Sequence, residues 1–124
     1  MKAKILYIED NESNMYLVTY ILNAWGHEVV QAWNGLEGVD VALGARPDLI
    51  LLDIQLPGMD GYETARQLRA RTELARVPIV ALTSYAMTGD KEKAMAAGCD
   101  GYIEKPINPD TFISELEQFL NGAP

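Results

Sequence analysis

A chain of 124 residues has the length of one domain and can bury a substantial core, so we expect residues 1–124 to form a single domain. Its 48% hydrophobic and 23% charged residues are ordinary for a globular protein and exclude a mainly disordered chain. Eighteen acidic residues against ten lysines and arginines give a net charge of −8, which opposes binding to nucleic acid or to an anionic membrane.

Five apolar segments alternate with five helix-like segments along the chain. The apolar segments are predicted as strands and cover residues 4–8, 27–32, 48–53, 77–83 and 101–104. The predicted helices begin near Ser13, Asn34-Gly35, Gly61, Thr88-Gly89-Asp90 and Pro109-Asp110. This alternation with short connections favours an α/β fold, a doubly wound (βα)5 parallel sheet with helices on both faces.

The first helix illustrates how the pattern predicts burial. Ser13 is a plausible N-cap, and Gly26 ends the helix. We expect an inner stripe at helical spacing to face the core, consisting of Met15, Val18, Ile21, Leu22 and Trp25. Tyr16 and Leu17 lie off that stripe, near the acidic end, and are the more interesting apolar residues of this helix.

Several isolated residues have simple structural interpretations. His27, the only histidine, is expected at the surface, and Arg66, Arg69 and Arg71 on the solvated face of the third helix. Cys99, the only cysteine, is expected to be a small buried hydrophobic residue. No apolar run has membrane-spanning length and no signal-peptide pattern is present, so we expect a cytoplasmic protein.

Polar side chains stand where four of the predicted strands end. Glu9-Asp10 follows the first strand, Asp53 ends the third, Thr83 ends the fourth and Lys105 follows the fifth. The carboxyl ends of parallel strands share one edge of the sheet, where ligands bind. Carboxylates that lie so near one another repel unless a cation lies among them. These oxygen ligands suit Mg²⁺ rather than zinc.

These strand ends carry motifs that resemble the receiver domain of two-component response regulators. The motifs are Glu9-Asp10, the stretch from Leu51 to Gly61 (LLDIQLPGMDG), Ala81-Leu82-Thr83 and Lys105-Pro106. The resemblance covers essentially the whole chain and implies a five-stranded sheet in the flavodoxin-like order 2-1-3-4-5. Because the sequence ends with the fifth helix, it is most similar to stand-alone regulators of the DivK-like group. Met1 is followed almost at once by the first strand, which favours a complete protein over a domain cut from a larger hybrid kinase.

The resemblance implies a role for each acidic residue. Asp53 would be the phosphoacceptor, attacking a phosphohistidine on a histidine kinase or a histidine phosphotransfer protein. Asp10 and Asp53 would ligate Mg²⁺ directly, Gln55 would add its backbone carbonyl, and Glu9, where the family more often has Asp, would act through water.

The resemblance also implies how phosphorylation is read out. Lys105 would contact one phosphate oxygen and Thr83 another, and the Lys105-Pro106 peptide bond would be cis. Tyr102 resembles the family's switch aromatic, which turns inward when Thr83 moves toward phosphate. The face formed by the fourth helix, fifth strand and fifth helix would then change its contacts with a downstream protein target.

Two further expectations concern partner docking and the lifetime of the phosphorylated form. Asn11, Ser13, Asn14 and Leu17 resemble the positions that dock a kinase or phosphotransfer partner, although a solvated polar helix start explains the first three equally well. Gln55 and Tyr85 stand at the positions that govern water access to the acyl phosphate, so a bulky Tyr85 predicts slow self-dephosphorylation.

Two other classes of protein share parts of this pattern. A haloacid-dehalogenase-like phosphatase would use Asp53 as a catalytic nucleophile, but its second Asp, two residues on, is Gln55 here. A flavodoxin-like cofactor binder shares the fold, but the acidic segment from Glu9 to Glu12 after the first strand would repel phosphate.

Overall fold

The structure, a computed structural model, describes residues 2–56, 58–83 and 89–120. In these ranges five strands alternate with five α-helices, in the order β1 (Lys4–Ile8), α1 (Glu12–Ala24), β2 (Glu28–Ala32), α2 (Gly35–Ala45), β3 (Leu49–Asp53), α3 (Gly61–Arg69), β4 (Ile79–Thr83), α4 (Asp90–Ala96), β5 (Gly101–Glu104) and α5 (Pro109–Leu120). The sequence pattern did not predict the short 3-10 helix at Thr72–Leu74 between α3 and β4. Tyr85 and Thr88 lie outside the described residues.

The strands form one parallel sheet in the order β2-β1-β3-β4-β5, which confirms the predicted topology. β3 lies at its centre, and all five of its residues are buried. A strand covered on both faces has no polar face to alternate with, which explains its continuous apolar run. The same position places Asp53, the last residue of β3, between the ends of β1 and β4.

Two apolar layers cover the two faces of the sheet. One layer packs α1 and α5 against the sheet through residues such as Met15, Leu22 and Phe112. The other packs α2, α3 and α4 through residues such as Val39, Leu68 and Ala94, and it includes Cys99, whose predicted burial is confirmed. Among the helices in the described ranges, none combines the length and apolar character needed to cross a membrane.

The ends of α1 differ from the sequence prediction. Asn11, not Ser13, is the N-cap, because its side chain accepts a hydrogen bond from the backbone N–H of Asn14 at 2.9 Å. Trp25 is also wrongly predicted: it follows the last helical residue as the C-cap, and its side chain is 60% exposed. Tyr16 and Leu17, which lie off the predicted inner stripe, are exposed.

His27 is buried, so the prediction of a surface residue was wrong. Its Nδ1 accepts a hydrogen bond from the backbone N–H of Ala3 at 3.1 Å, and its Nε2 lies 3.2 Å from a carboxylate oxygen of Glu117. Because Nδ1 accepts, the ring hydrogen is on Nε2 and is donated to Glu117. The imidazole therefore ties the start of β1 to α5 at the edge of the sheet opposite the acidic residues.

Arg69 is likewise not a solvated side chain, although its neighbour Arg66 is exposed as predicted. The Arg69 guanidinium donates to the backbone carbonyls of Leu74, Ala75, Val77 and Gly98. It also pairs with Asp100 at 2.7 Å. A planar group with five donors can satisfy several carbonyls at once, so Arg69 joins α3 to the segments before β4 and β5.

The loop between β3 and α3 folds back onto the strand end at Gly61. The backbone N–H of Gly61 donates to the carbonyl of Ile54 at 3.0 Å, and a Cβ on Gly61 would lie 2.3 Å from the Ile54 Cα. Only glycine allows this close approach. The contact places α3 directly after the loop that carries Gln55.

Candidate functional site

The carboxyl edge of the sheet brings together the residues predicted from the strand ends. Glu9 follows β1, Asp53 ends β3 and Thr83 ends β4, and all three are buried. Lys105 follows β5, where its backbone N–H donates to the carbonyl of Thr83 at 2.7 Å. The peptide bond between Lys105 and Pro106 is cis, as the resemblance implied.

Three carboxylates form a cluster at this edge. Oxygen atoms of Glu9, Asp10 and Asp53 all lie within 4.8 Å of one another. Glu9 and Asp53 are buried, whereas Asp10 is exposed. The Lys105 ammonium lies 3.1 Å from Glu9 Oε1 and 3.4 Å from Asp53 Oδ2. One lysine thus faces three carboxylates, so the cluster carries excess negative charge.

The pKa values of the two buried carboxyls diverge. Burial and a hydrogen bond with Glu9 raise the pKa of Asp53 to about 7, although the N–H of Gln55, 2.9 Å from Asp53 Oδ1, opposes the rise. Burial also raises the pKa of Glu9, but hydrogen bonds from Asp53, Tyr7 and Lys105 outweigh it and hold that pKa below its usual value. The proton that the pair shares therefore resides on Asp53.

The donor set of this cluster fits a divalent cation with hard oxygen ligands. Carboxylate oxygens and water are the ligands that Mg²⁺ prefers, and a cation among the three carboxylates would remove their mutual repulsion. The exposed position of Asp10 leaves the cluster open to solvent on one side, so an ion can reach it. The nitrogen and sulfur ligands typical of zinc are absent from this described cluster.

Gln55 and Thr83 are linked through their side chains. The Gln55 amide nitrogen donates to the Thr83 hydroxyl at 3.2 Å. The same residue contacts Asp53 through its backbone N–H. Gln55 therefore connects the ends of β3 and β4, the two strands that carry the predicted phosphoacceptor and the predicted hydroxyl ligand.

Tyr7 is a site residue that the sequence analysis missed. Its side chain is fully buried, and its hydroxyl donates to Glu9 Oε1 at 2.7 Å. Burial and the adjacent carboxylate raise the pKa of this phenol far above its ordinary value, so the hydroxyl stays protonated as a donor. The available signal was a polar-tipped aromatic in an otherwise aliphatic strand, two residues before Glu9 and so on the same strand face.

Tyr102 lies on β5 beside Ala81 of β4 and is partly buried. Its hydroxyl oxygen is buried near the Thr83 side chain. Burial, together with the nearby Asp90, raises the pKa of this phenol, and the Thr83 side chain opposes the rise. The ring is thus held between the core and the surface near α4.

A groove beside the acidic cluster joins α1 to the segment after β5. Its volume is about 450 Å³, and it is lined by Tyr7, Asn14, Leu17, Val18, Lys105, Pro106 and Ile107. Of the predicted docking residues, Asn14 and Leu17 line this groove, and Leu17 is 49% exposed. Asn11 and Ser13 are exposed on the first turn of α1 and do not line it.

The response regulator receiver domain family matches residues 5–117, which is most of the chain. The chain belongs to this family. As a receiver domain, it is a phosphorylation-controlled signalling module of two-component systems. The fold, the converging strand ends and the groove can therefore be compared with those of named receiver proteins.

Curated relatives and solved structures cover nearly the whole receiver domain. The polar-differentiation response regulator DivK of Brucella anthropi is 42% identical over 123 residues, covering 99% of this chain and all of that protein. DivK of Brucella ovis is 41% identical over the same length. These relatives confirm the predicted similarity to DivK-like regulators.

Two solved structures resemble the fold closely. The receiver domain of sensor histidine kinase PA1611 from Pseudomonas aeruginosa has a TM-score of 0.90 and 35% identity, covering 98% of this chain and 99% of that one. That structure has a magnesium ion coordinated in its active site cleft. Chemotaxis protein CheY4 of Vibrio cholerae has a TM-score of 0.91 and 32% identity, covering 96% of this chain and 99% of its own.

Proposed function

We propose that residues 1–124 form one receiver domain that accepts a phosphoryl group on Asp53. The observation that carries this proposal is the position of Asp53, a buried carboxylate at the end of the central strand, 3.4 Å from the Lys105 ammonium. In the transfer, an Asp53 oxygen forms a bond to phosphorus while the bond from phosphorus to the donor's histidine nitrogen breaks. The donor imidazole leaves as the neutral ring after taking up a proton.

Mg²⁺ is the proposed cofactor, held by Asp10 and Asp53 directly, by the backbone carbonyl of Gln55 and by Glu9 through water. When bound, it supplies positive charge that offsets the repulsion between the Asp53 carboxylate and an anionic phosphoryl group. The three clustered carboxylates and the magnesium in the PA1611 receiver support this assignment. Cation binding also favours the ionised form of Asp53, which is the form that can attack phosphorus.

The neighbouring side chains are proposed to read the phosphorylated state. Lys105 would shift from the carboxylates to a phosphate oxygen, and the Thr83 hydroxyl would turn from the Gln55 amide to another. Movement of Thr83 would free space for Tyr102, which lies on the neighbouring strand β5. The surface of α4, β5 and α5 would then favour a downstream protein target.

The phosphodonor is proposed to be a phosphohistidine on a histidine kinase or a histidine phosphotransfer protein, docked on the groove that Asn14 and Leu17 line. Asn11 and Ser13 would form its exposed rim. The net charge of −8 supports protein partners over nucleic acid and anionic membrane. Because histidine kinases draw on the ATP and magnesium of the cytoplasm, we propose that the protein acts there.

We further propose that the chain catalyses only its own phosphorylation and dephosphorylation. A phosphatase of the haloacid-dehalogenase type needs an acid two residues after its nucleophile, and the Gln55 amide, which donates a hydrogen bond to Thr83, is too weak an acid and too weak a base for that role. Slow self-dephosphorylation remains a prediction for Tyr85, and the test is the phosphate lifetime in Tyr85→Ala. An unchanged lifetime would remove Tyr85 from the account.

Intact mass spectrometry tests the phosphoacceptor assignment. Wild-type protein and Asp53→Asn are incubated with a small-molecule phosphodonor, with Mg²⁺ or with a chelator. We expect one phosphate on wild-type protein with Mg²⁺ and none in the other three samples. Equal labelling of Asp53→Asn would mean that another residue accepts the phosphate, and no labelling beside a labelled control receiver would contradict the proposed function.

A further inference from the structure

Tyr7 occupies a fixed position beneath the acidic cluster. It lies on β1, where its ring packs in the apolar layer formed with α1 and α5, and its side chain is fully buried. A tyrosine has only two side-chain torsions, so a packed ring fixes the position of its hydroxyl. The hydroxyl reaches Glu9 Oε1 at 2.7 Å, a short distance typical of a strong hydrogen bond to a carboxylate.

Glu9 depends on neighbours for its orientation, because its carboxylate is separated from the backbone by three rotatable bonds. Oε1 accepts from Tyr7 and from the Lys105 ammonium at 3.1 Å, and Oε2 accepts from the backbone N–H of Asn11 at 3.3 Å. Lys105 has a long flexible chain and Asn11 is part of an exposed helix start. Of these three donors, Tyr7 is the rigid one, and Asp53, which also hydrogen-bonds to Glu9, is itself a metal ligand in the proposed site.

We propose that Tyr7 is a positioning residue of the phosphorylation site, whose hydroxyl fixes the Glu9 carboxylate and, through Glu9, the Lys105 ammonium. The proposal rests on the proposed function, because it assigns Tyr7 a role in the same metal and phosphoryl site. The Tyr7 hydroxyl donates its hydrogen to Glu9 Oε1. It acts through Glu9, whose Oε1 is the atom that Tyr7 and Lys105 share.

The pairing of tyrosine with glutamate explains why a long acidic side chain works at position 9. Glutamate has one more methylene than aspartate, and so one more torsion that must be ordered when the site assembles. The hydrogen bond from Tyr7 restricts that torsion before a cation arrives. Loss of the hydroxyl should therefore weaken cation binding while leaving the packing of the ring intact.

Calorimetric titration of unphosphorylated protein with Mg²⁺ tests the role of the hydroxyl. Tyr7→Phe keeps the ring and removes only the oxygen, and Tyr62→Phe makes the same change in the layer on the opposite face of the sheet. We expect Tyr7→Phe to weaken Mg²⁺ binding about three- to tenfold, as expected for one side chain left to be ordered on binding. Tyr62→Phe should bind as wild-type protein does.

A double variant shows whether Tyr7 acts through Glu9. In a Glu9→Ala background, Tyr7→Phe should cause no further loss of Mg²⁺ affinity, because the carboxylate that it positions is gone. Thermal unfolding without Mg²⁺ reports any packing change separately from the affinity. Equal affinities of Tyr7→Phe and Tyr62→Phe, or a further loss in the Glu9→Ala background, would overturn the proposal.

The outcome for the wild-type protein separates this inference from the proposed function. If wild-type protein is phosphorylated on Asp53 and binds Mg²⁺, but Tyr7→Phe binds it equally well, only the role of Tyr7 is wrong. If wild-type protein binds no Mg²⁺ and takes no phosphate, both the proposed function and the role of Tyr7 are overturned.

Discussion

Two buried or partly buried cations in this receiver domain lie in opposite electrostatic settings. Arg69 pairs with one carboxylate, Asp100, and its other hydrogens go to backbone carbonyls. Lys105 faces two buried carboxylates and an exposed third, Asp10, in the same cluster. The first group is balanced and holds segments together, whereas the second has an excess of negative charge that only a bound cation or proton relieves. An excess of negative charge thus marks the functional edge of the sheet.

The largest expected effect on stability comes from removing the Arg69 guanidinium. Arg69→Ala removes a donor from several backbone carbonyls and the cation from Asp100, which keeps the backbone N–H of Ile79, so we expect a loss of about 3 kcal/mol in the free energy of unfolding. Denaturant unfolding measures it. Arg66→Ala on the same helix is the matched control, since Arg66 makes only an exposed pair with Glu63 and should cost about 0.5 kcal/mol or less. Equal losses in the two variants would contradict the structural role of Arg69.

A pH series of Mg²⁺ titrations tests the excess negative charge around Lys105. The pKa of Asp53 is raised to about 7, so below that pH a cation must displace a proton from the cluster. We expect Mg²⁺ affinity to rise about tenfold per pH unit up to pH 7 and to level off above it. The buffer dependence of the calorimetric heat counts the proton released. An affinity that is constant between pH 5.5 and 7 would mean that Asp53 is already ionised there.

A smaller effect on stability is expected when one negative charge is removed from the acidic cluster. Folding raises the pKa of Asp53 from its ordinary value of 3.8 to about 7. Ionised Asp53 therefore destabilises the folded protein, and this loss of stability grows as the pH rises from 3.8 and is complete above about 7. Asp53→Asn removes this penalty, and we expect the metal-free variant to be more stable than wild-type protein by about 1 kcal/mol at pH 8. Thermal unfolding in chelator measures the difference, and Mg²⁺ should reduce it. A less stable variant at pH 8 would contradict the raised pKa.

Much of the fold could be predicted from the sequence because the spacing of apolar residues and the positions of glycine and proline indicate the same boundaries. The continuous apolar run of β3 and the glycine and proline boundaries of the helices place most elements within two residues. Two of the errors, at His27 and Arg69, arose where a polar residue found partners far away in the sequence. His27 is buried because Ala3 and Glu117 complement both ring nitrogens, and Arg69 because several chain segments supply carbonyls.

The site was predictable to the same extent and for a related reason. Parallel strands bring their carboxyl ends to one edge, so Glu9, Asp53 and Thr83 could be placed together without knowing any distance. The partners of each side chain could not, because they depend on packing across the sheet. The hydrogen bonds from Tyr7 to Glu9 and from Gln55 to Thr83 are examples of contacts that the sequence could not predict.

The most direct test of the account is to identify the phosphorylated residue chemically. Protein phosphorylated with a small-molecule donor and Mg²⁺ is reduced with borohydride, which converts an aspartyl phosphate into homoserine, and the digested peptides are then sequenced by mass spectrometry. The account predicts homoserine at position 53 alone. Homoserine at Asp10 or at another carboxylate, or a phosphate that resists reduction, would contradict the claim that the buried carboxylate at the end of β3 is the phosphoacceptor.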